Sequence, residues 1–324
     1  MPMRSDITES TPLVLASRAS RLALIQTEEV CARLKPLATR IDPLSTRGDE
    51  VLDRSLAALG GKGLFVKTLE AAMAEGRADA AVHSAKDMET RFADGTVIAA
   101  FLEREDRRDA LIGPYAGIDD LPQGAIVGTA SVRREALLRA QRPDLQIRLL
   151  RGNVQTRMKQ LEEGRYDAII LAMAGLNRLI RDGETISPRI NPLDEAVFPP
   201  AAAQGIIAIQ ALADDGSPRR TTILEALRRL NHPETAAEAT AERALLDQLD
   251  GTCQTPIGTS ARLHENRLHL KACLLSRDGR QRFDAEAEAT AEDADRLGRA
   301  VADDLLGQAG GRRFLAEGDE GGGG

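Results

Sequence analysis

Short apolar runs typical of β-strands alternate along this chain with longer segments that have helical periodicity. The predicted strands lie at 13–16, 79–83, 125–128, 146–150 and 166–172. The predicted helices span about 19–34, 65–75 and 154–163, with another running from a cap at 129–131 to about 142 and one starting at 175–178. This alternation predicts an α/β fold with parallel sheets that are covered by helices on both faces.

The last third of the chain has a different composition. From about Leu230 it becomes rich in alanine and acidic residues. A helix is predicted over 235–249, strands near 257–263 and 267–275, and a last helix near 292–309, which together indicate a small separate α+β domain. Residues 1–11 and the glycine-rich end at 317–324 are predicted to be disordered tails.

Several protein classes are disfavoured by composition. No window reaches the roughly 18 consecutive apolar residues of a membrane helix, and the N-terminus has no apolar segment typical of a secretory signal. The three cysteines, Cys31, Cys253 and Cys273, are too scattered for a disulfide framework or a paired-cysteine metal site. We therefore expect a soluble, cytoplasmic protein without a metal site.

Positive charge is concentrated in one segment although the net charge is −7. Between Ser131 and Lys159, seven arginines and one lysine stand against Glu135 and Asp144. The planar guanidinium group binds carboxylate or phosphate through two parallel hydrogen bonds, so the cluster indicates a polyanionic ligand, although high genomic GC content also favours arginine. Nucleic acid fits less well, because six phenylalanines, two tyrosines and no tryptophan offer little base stacking.

Cations recur where predicted strands give way to helices, which in α/β sheets is where helix N-termini bind anions. Two such α/β units facing each other would form an anion-lined cleft. The alternative is that these arginines pair with surface carboxylates. The junction residues are Arg18, Ser20, Lys86, Asp87, Ser131, Arg133, Arg134, Arg151 and Arg178.

Asp87 and Cys253 are the candidate reactive residues. Asp87 is the only acid in the turn after the strand at 79–83, where a carboxylate among cations stays ionised and can stabilise positive charge; a helix N-cap is the structural alternative. His83, inside that strand, is interpreted as a buried packing residue. Cys253 lies in a turn-rich loop in which a thiol can react. The glycines around Lys62 lack the spacing of a phosphate loop and are assigned to a mobile loop at about 45–63.

These segments closely resemble the hydroxymethylbilane synthase family, also called porphobilinogen deaminases. The resemblance covers about residues 13–310 and is carried by STRGD (45–49), GGKGLFVKTLE (60–70), ADAAVHSAKD (78–87), EREDRRDAL (103–111), VGTASVRR (127–134), LRGNVQTR (150–157), YDAIILAMAGLNRL (166–179) and GTCQTPIG (251–258).

The resemblance implies two periplasmic-binding-protein-like α/β domains and a C-terminal α+β domain that carries the cysteine. The implied boundaries are 12–102 with 204–226 for the first domain, 107–199 for the second and 228–316 for the third. The implied connecting segments lie near 100–107 and 199–206.

The resemblance also implies the chemistry. A dipyrromethane cofactor is joined to Cys253 by a thioether, and four porphobilinogen molecules are coupled head to tail with loss of ammonia before hydrolysis releases hydroxymethylbilane. Asp87 is similar to the family's catalytic aspartate, and Lys62, in the mobile loop, would help close the cleft over the growing chain. A monomer is implied. The residues implied to hold the cofactor and substrate carboxylates, directly or as supporting donors, are Arg18, Ser20, Lys86, Thr129, Ser131, Arg133, Arg134, Arg151, Arg157 and Arg178.

The chain departs from the family pattern at a few positions near these motifs. The departures are Val14, Arg21, Ala58, Met88-Glu89, Ala130 and Ala203. Three alternatives stay open at this point: a two-lobed binding protein for a carboxylate-rich anion, a nucleic-acid-binding protein that uses the arginine cluster, and a protein that keeps the fold but lacks turnover.

Overall fold

Helices and strands alternate through most of the computed structural model, which describes residues 7–45, 66–249 and 255–315. Lys62, Cys253 and nearly all of the predicted mobile loop lie outside the described residues. The helices are α1 (Arg21–Arg33), α2 (Lys67–Ala74), α3 (Val132–Gln141), α4 (Val154–Glu162), α5 (Met173–Arg181), α6 (Pro218–Arg228), α7 (Pro233–Gln248) and α8 (Ala294–Gln308). The strands are β1 (Leu13–Arg18), β2 (Thr39–Leu44), β3 (Ala80–Ser84), β4 (Thr96–Phe101), β5 (Asp109–Ile112), β6 (Ile126–Thr129), β7 (Gln146–Leu149), β8 (Ala168–Ala172), β9 (Ile190–Pro192), β10 (Ile207–Leu212), β11 (Ile257–His264), β12 (Arg267–Leu275) and β13 (Arg282–Thr290).

The first sheet has five strands in the order β2-β1-β3-β10-β4. Strand β1 pairs in parallel with β2 and β3, whereas β10 is antiparallel to both β3 and β4. Leu13 and Leu15 of β1 are fully buried and belong to the same apolar cluster as Val30 of α1 and Leu224 of α6. The helices therefore cover a sheet whose central strands are buried, as α/β architecture requires.

The second sheet repeats this pattern in the order β7-β6-β8-β5-β9. Strand β6 is parallel to β7 and β8, and β5 runs antiparallel to β8 and β9. The prediction of purely parallel sheets is therefore wrong. A strand that is joined to its neighbour in the sheet by a helical crossover pairs with that neighbour in parallel. Strands β5 and β10 are not joined to their neighbours in this way, so they can run in the opposite direction.

The C-terminal region forms a third, antiparallel sheet in the order β11-β12-β13, against which α8 packs. Strand β13 was not predicted, because its alternating alanine and acidic residues have helical propensity. In the structure its alanines pack on the apolar core, while Glu286 pairs with Lys271 of β12. Cross-strand pairing and one buried face thus override the local preference.

The described residues divide into two compact units, one comprising 7–45, 66–105 and 206–236 and the other 106–205, 237–249 and 255–315. The α/β fold class with a small C-terminal α+β domain is confirmed by the two five-stranded sheets and the third, antiparallel sheet, while the predicted domain boundaries stay predictions. The predicted disordered segment 1–11 needs one correction: Ile7 is buried in the first core, and Thr8 and Thr11 exchange backbone hydrogen bonds. Among the described residues, no helix has the length and apolarity to cross a bilayer.

The C-terminal domain depends on a close approach of helices α7 and α8 at Gly298. A Cβ atom at this position would lie 2.2 Å from the carbonyl oxygen of Ala241 and 2.9 Å from the amide nitrogen of Leu245. We predict that Gly298→Ala lowers the free energy of unfolding by roughly 3 kcal/mol, because backbone atoms cannot move aside. Urea and thermal unfolding measure the change.

Gly307, on the same helix, is the matched control because a Cβ there meets no atom within 4 Å. Gly307→Ala is expected to raise the free energy of unfolding by up to about 1 kcal/mol through helix propensity. Equal effects of the two substitutions would contradict the close-approach argument.

Candidate active site

In the first unit, the predicted site residues that the structure describes lie at one edge of the sheet. Strands β1 and β3 are parallel neighbours, so their last residues, Arg18 and Ser84, end at the same edge. A 3₁₀ turn over Ala85–Asp87 follows β3 directly and carries Lys86 and Asp87. Asp87 is the last residue of this turn and not the N-cap of a helix, so the structural alternative from the sequence does not apply.

Asp87 has a cationic neighbour but keeps exposed surface. Arg18 Nη1 lies 3.9 Å from Asp87 Oδ2, and the two side chains are 25% and 40% exposed. An ion pair of this length and exposure contributes little to stability. The carboxylate therefore remains accessible to a ligand beside a guanidinium group.

Ser84, the last residue of β3 before the turn with Asp87, is held by a buried side-chain amide. Gln26 of α1 and the Ser84 hydroxyl are joined by two contacts of 3.0 and 3.1 Å. His83 is buried in β3, as the sequence predicted. Ser20 is the N-cap residue of α1, and its side chain makes no capping hydrogen bond. Gln26 was missed by sequence analysis, since a glutamine on a helix carries no signal of its distant partner.

In the second unit, strands β6, β7 and β8 are parallel and end at a common edge. Thr129 ends β6, and its hydroxyl accepts a hydrogen bond from the Ser131 amide at 3.1 Å. Ser131 is the N-cap of α3 and accepts from the Arg134 amide at 3.4 Å. These contacts define the turn that starts α3 and place Arg133 and Arg134 in its first turn.

Arg133 and Arg134 converge on Asp109, a fully buried carboxylate. Arg133 Nη2 donates to Asp109 Oδ2 at 2.8 Å, and Arg134 Nη2 and Nε donate to Oδ1 at 2.6 and 3.2 Å. The Gln204 side chain also donates to Oδ1 at 2.9 Å. Both arginines are themselves buried, with Nη1 groups that donate to the carbonyls of Pro199 and Ile170.

The reversed direction of β5 places Asp109 at this edge. Asp109 is the first residue of β5 and stands opposite Ala172, the last residue of β8. Sequence analysis quoted Asp109 within a family motif but gave it no role. The available signal was an acid immediately before the apolar run Ala110–Ile112, but its partners come from α3 and from Gln204.

Other predicted ligand residues follow β7 and β8. The turn after β7 carries Arg151, and Asn153 caps α4 by accepting the Thr156 amide at 2.8 Å. Arg157 Nε donates to the Gly152 carbonyl at 2.8 Å. Arg178, on the helix after β8, is buried and donates from Nη2 to the Gly205 carbonyl at 3.0 Å.

The buried cluster has an excess of positive charge. Two guanidinium groups share one carboxylate, and Arg133 Nε is buried without a hydrogen-bond partner among the described residues. Burial lowers the pKa of Arg133, because a cation loses its hydration there, while Asp109 acts in the opposite direction. A buried cation is stable only when paired, so this arrangement fits an anionic ligand such as the carboxylates of a dipyrromethane.

Within the described ranges, no group of three or more His, Cys, Asp or Glu side chains is suited to a metal ion. Cys31 packs against the first core, and Cys273 is buried in β12. Burial raises the pKa of both thiols, because the thiolate is poorly stabilised there. Neither cysteine therefore has the environment of a reactive thiolate.

Comparisons with known proteins identify one family along most of the chain. A model described as "Porphobilinogen deaminase, dipyromethane cofactor binding domain" matches residues 13–220, and one described as "Porphobilinogen deaminase, C-terminal domain" matches 236–307. Identity is 47% over 309 residues to the porphobilinogen deaminase of Chromobacterium violaceum, covering 94% of this chain and 97% of that protein. The Ralstonia nicotianae protein of the same name is 48% identical over 306 residues, covering 91% and 89%.

A solved structure, the VFT2 domain of Bordetella pertussis BvgS, is a distant match. It has a TM-score of 0.40 and 16% identity, covering 67% of this chain and 84% of that one. This likeness is too remote to bear on function.

The turn that carries Arg151 depends on Gly152. Its φ is 110°, and a Cβ there would lie 2.7 Å from Thr156 Cγ2 and 2.8 Å from Thr156 Cβ. We predict that Gly152→Ala lowers the free energy of unfolding by roughly 2–4 kcal/mol, from backbone strain together with overpacking. Chemical denaturation measures this change.

Gly164, after the other end of α4, is the control. Its φ is 70°, but a Cβ there meets nothing within 4 Å. Gly164→Ala should cost only about 1–2 kcal/mol, the left-handed backbone contribution alone. A smaller loss at Gly152 than at Gly164 would contradict the packing argument.

Proposed function

The chain belongs to the porphobilinogen deaminase family, and from this premise we propose how its own residues perform the family's reaction. Its function is that of a hydroxymethylbilane synthase, a transferase that joins four porphobilinogen molecules head to tail with loss of ammonia and releases hydroxymethylbilane by hydrolysis. The match over nearly the whole chain at 47–48% identity carries this conclusion. We therefore prefer the enzyme function to the anion-binding and nucleic-acid-binding alternatives, because the matched relatives are named as deaminases.

Asp87 is the proposed catalytic residue. Loss of ammonia from the aminomethyl group of porphobilinogen leaves a cationic azafulvene, whose positive charge needs a nearby anion. The Asp87 carboxylate is exposed on a turn that is held in place by Ser84 and Gln26. A fixed carboxylate stabilises developing positive charge without reorganising at the moment of reaction.

The arginine residues are proposed to hold carboxylates. When bound, the dipyrromethane cofactor supplies the pyrrole carbon to which the first substrate unit is attached. Each pyrrole bears an acetate and a propionate, and guanidinium groups bind such groups in bidentate fashion. The uncompensated charge of the Arg133–Arg134 cluster and the buried Arg133 Nε support this role. The other proposed carboxylate-binding or supporting residues are Arg18, Ser20, Lys86, Thr129, Ser131, Arg151, Arg157 and Arg178.

Cys253 is the proposed attachment site of the cofactor. The match of residues 13–220 identifies a dipyrromethane cofactor-binding domain, and the family motif GTCQTPIG carries this cysteine. The raised pKa of the Cys31 and Cys273 thiols supports the choice, because thioether formation favours a thiolate. Three further proposals rest on the family resemblance: that Lys62 helps to close the cleft over the growing chain, that the protein is a monomer, and that it is cytoplasmic.

Asp87→Asn is expected to lower kcat roughly 100-fold or more, because it removes the negative charge while keeping the shape of the side chain. The measurement is the rate of hydroxymethylbilane formation from porphobilinogen, with the fraction of cofactor-loaded protein determined by mass. Asp94→Asn, at an exposed acid in the same unit, is the control and should leave the rate unchanged. Near-normal turnover of Asp87→Asn would remove Asp87 from the mechanism.

The intact mass of the denatured protein tests the cofactor. We expect a covalent excess of two linked pyrrole units on the wild type and on Cys31→Ser, and its absence from Cys253→Ser. An excess that persists in Cys253→Ser would refute attachment at this residue. If the wild type has only its sequence mass, incubation with porphobilinogen should add mass to an apoenzyme and none to a mere binding protein.

A further inference from the structure

Asp109 occupies a position that the proposed reaction leaves unexplained. It is a fully buried carboxylate that accepts at least four hydrogen bonds, three from the two arginines and one from Gln204. Its charge is not exposed at the protein surface, and it does not cap a helix. Its hydrogen-bonding capacity is directed at the side chains that are proposed to hold the cofactor.

We infer that Asp109 is the positioning residue that orients Arg133 and Arg134 toward the carboxylates of the cofactor, and this inference rests on the proposed function. Each carboxylate oxygen binds a different arginine: Oδ2 accepts a hydrogen bond from Arg133, and Oδ1 accepts from Arg134. A guanidinium group is planar, so fixing two of its donors fixes the direction of the remaining N–H groups. Asp109 fixes two donors of Arg134 directly, and it fixes Arg133 together with the Pro199 carbonyl, which accepts from Arg133 Nη1.

The charge balance supports this inference. One carboxylate offsets only one of the two cations, so the cluster is rigid but still attracts an anion. A second acid would neutralise the site, and no acid would leave two buried cations to repel each other. The ring of Phe198, 6.0 Å from the Arg133 guanidinium carbon, adds a weaker attraction on one face.

Gln204 connects this cluster to the segment that precedes β10. Its side-chain nitrogen donates to Asp109 Oδ1 and also to the Arg107 carbonyl at 2.7 Å. Gln204 is fully buried and binds the same carboxylate oxygen as Arg134, so it holds Asp109 without adding a charge. The carboxylate is therefore fixed by the backbone of the connecting segment as well as by its ion pairs.

Asp109→Asn tests the inference. The amide keeps one acceptor oxygen but presents an NH₂ group to an arginine donor, so one of the two guanidinium groups loses its partner. We expect the rate of cofactor attachment to fall roughly 100-fold, because misplaced binding groups slow a reaction by about this factor. The rate is measured as the gain in mass of apoenzyme incubated with porphobilinogen. Glu238→Gln is the matched control, because Glu238 is also a buried carboxylate bonded to the side chain of an arginine, Arg107, and the substitution leaves in place the Arg107 carbonyl that accepts from Gln204. It should keep the wild-type rate.

A second readout does not depend on activity. In the wild-type apoenzyme, the side-chain N–H groups of Arg133 and Arg134 should give distinct, slowly exchanging nitrogen-15 NMR signals, assigned with Arg133→Lys and Arg134→Lys. These signals should shift or broaden in Asp109→Asn and stay unchanged in Glu238→Gln. Because the wild-type measurement needs no Asp109 variant, it remains decisive if Asp109→Asn fails to fold: averaged, rapidly exchanging signals would overturn the inference.

The two levels of failure are distinguishable. If the wild type neither gains mass nor forms hydroxymethylbilane, the proposed function fails whatever the NMR signals show. If the wild type is active and Asp109→Asn attaches the cofactor at the same rate with unchanged arginine signals, only the positioning role of Asp109 fails. An equal slowing in Asp109→Asn and Glu238→Gln, with equal loss of melting temperature, would reduce Asp109 to a structural residue.

Discussion

The buried carboxylate of Asp109, which is shared by the guanidinium groups of Arg133 and Arg134, organises the arginine cluster of the second unit. Burying an arginine is costly unless its donors are satisfied, and Asp109, together with the backbone carbonyls of Pro199 and Ile170, meets most of that demand for Arg133 and Arg134. The remaining positive charge is what an acidic ligand can use. The ion pairs that allow the arginines to be buried therefore also leave the positive charge at which we propose that an acidic ligand binds.

The reversed strands make this cluster possible. In an all-parallel sheet, the carboxyl edge collects strand ends and helix N-termini, both of which favour anionic ligands. Strand β5 runs the other way, so it begins at that edge and delivers Asp109 beside the start of α3. Strand β10 has the same reversed direction in the first sheet, where Ile207 stands opposite Ser84. Both sheets thus have a reversed strand that begins at the edge where the parallel strands end, but different side chains lie at the two edges.

The C-terminal domain is linked to the same framework by another buried acid. Glu242 of α7 accepts hydrogen bonds from the amides of Ala203 and Ala261, at 2.6 and 2.7 Å. Ala203 has a φ of 56°, a conformation that costs an L-residue roughly 1–2 kcal/mol, and the carboxylate compensates by binding its amide. Gln204 follows directly, so the helix that leads along the chain toward Cys253 also steadies the residue that holds Asp109.

The sequence alone determined the local parts of this protein. Residues close together in the chain encode the turns that carry Asp87, Ser131 and Arg151 and the helices α3 and α4 that follow the last two turns. The excess of arginine and the family motif around Cys253 are likewise features of the sequence itself. Tertiary structure decided the rest: the direction of β5 and β10, the strand character of β13, and the choice of Asp109 as partner. Asp109 lies 24 and 25 residues from its arginines and 95 from Gln204. Local propensity carries no information over such separations, because the energy of a buried ion pair exists only once folding has removed water from around it.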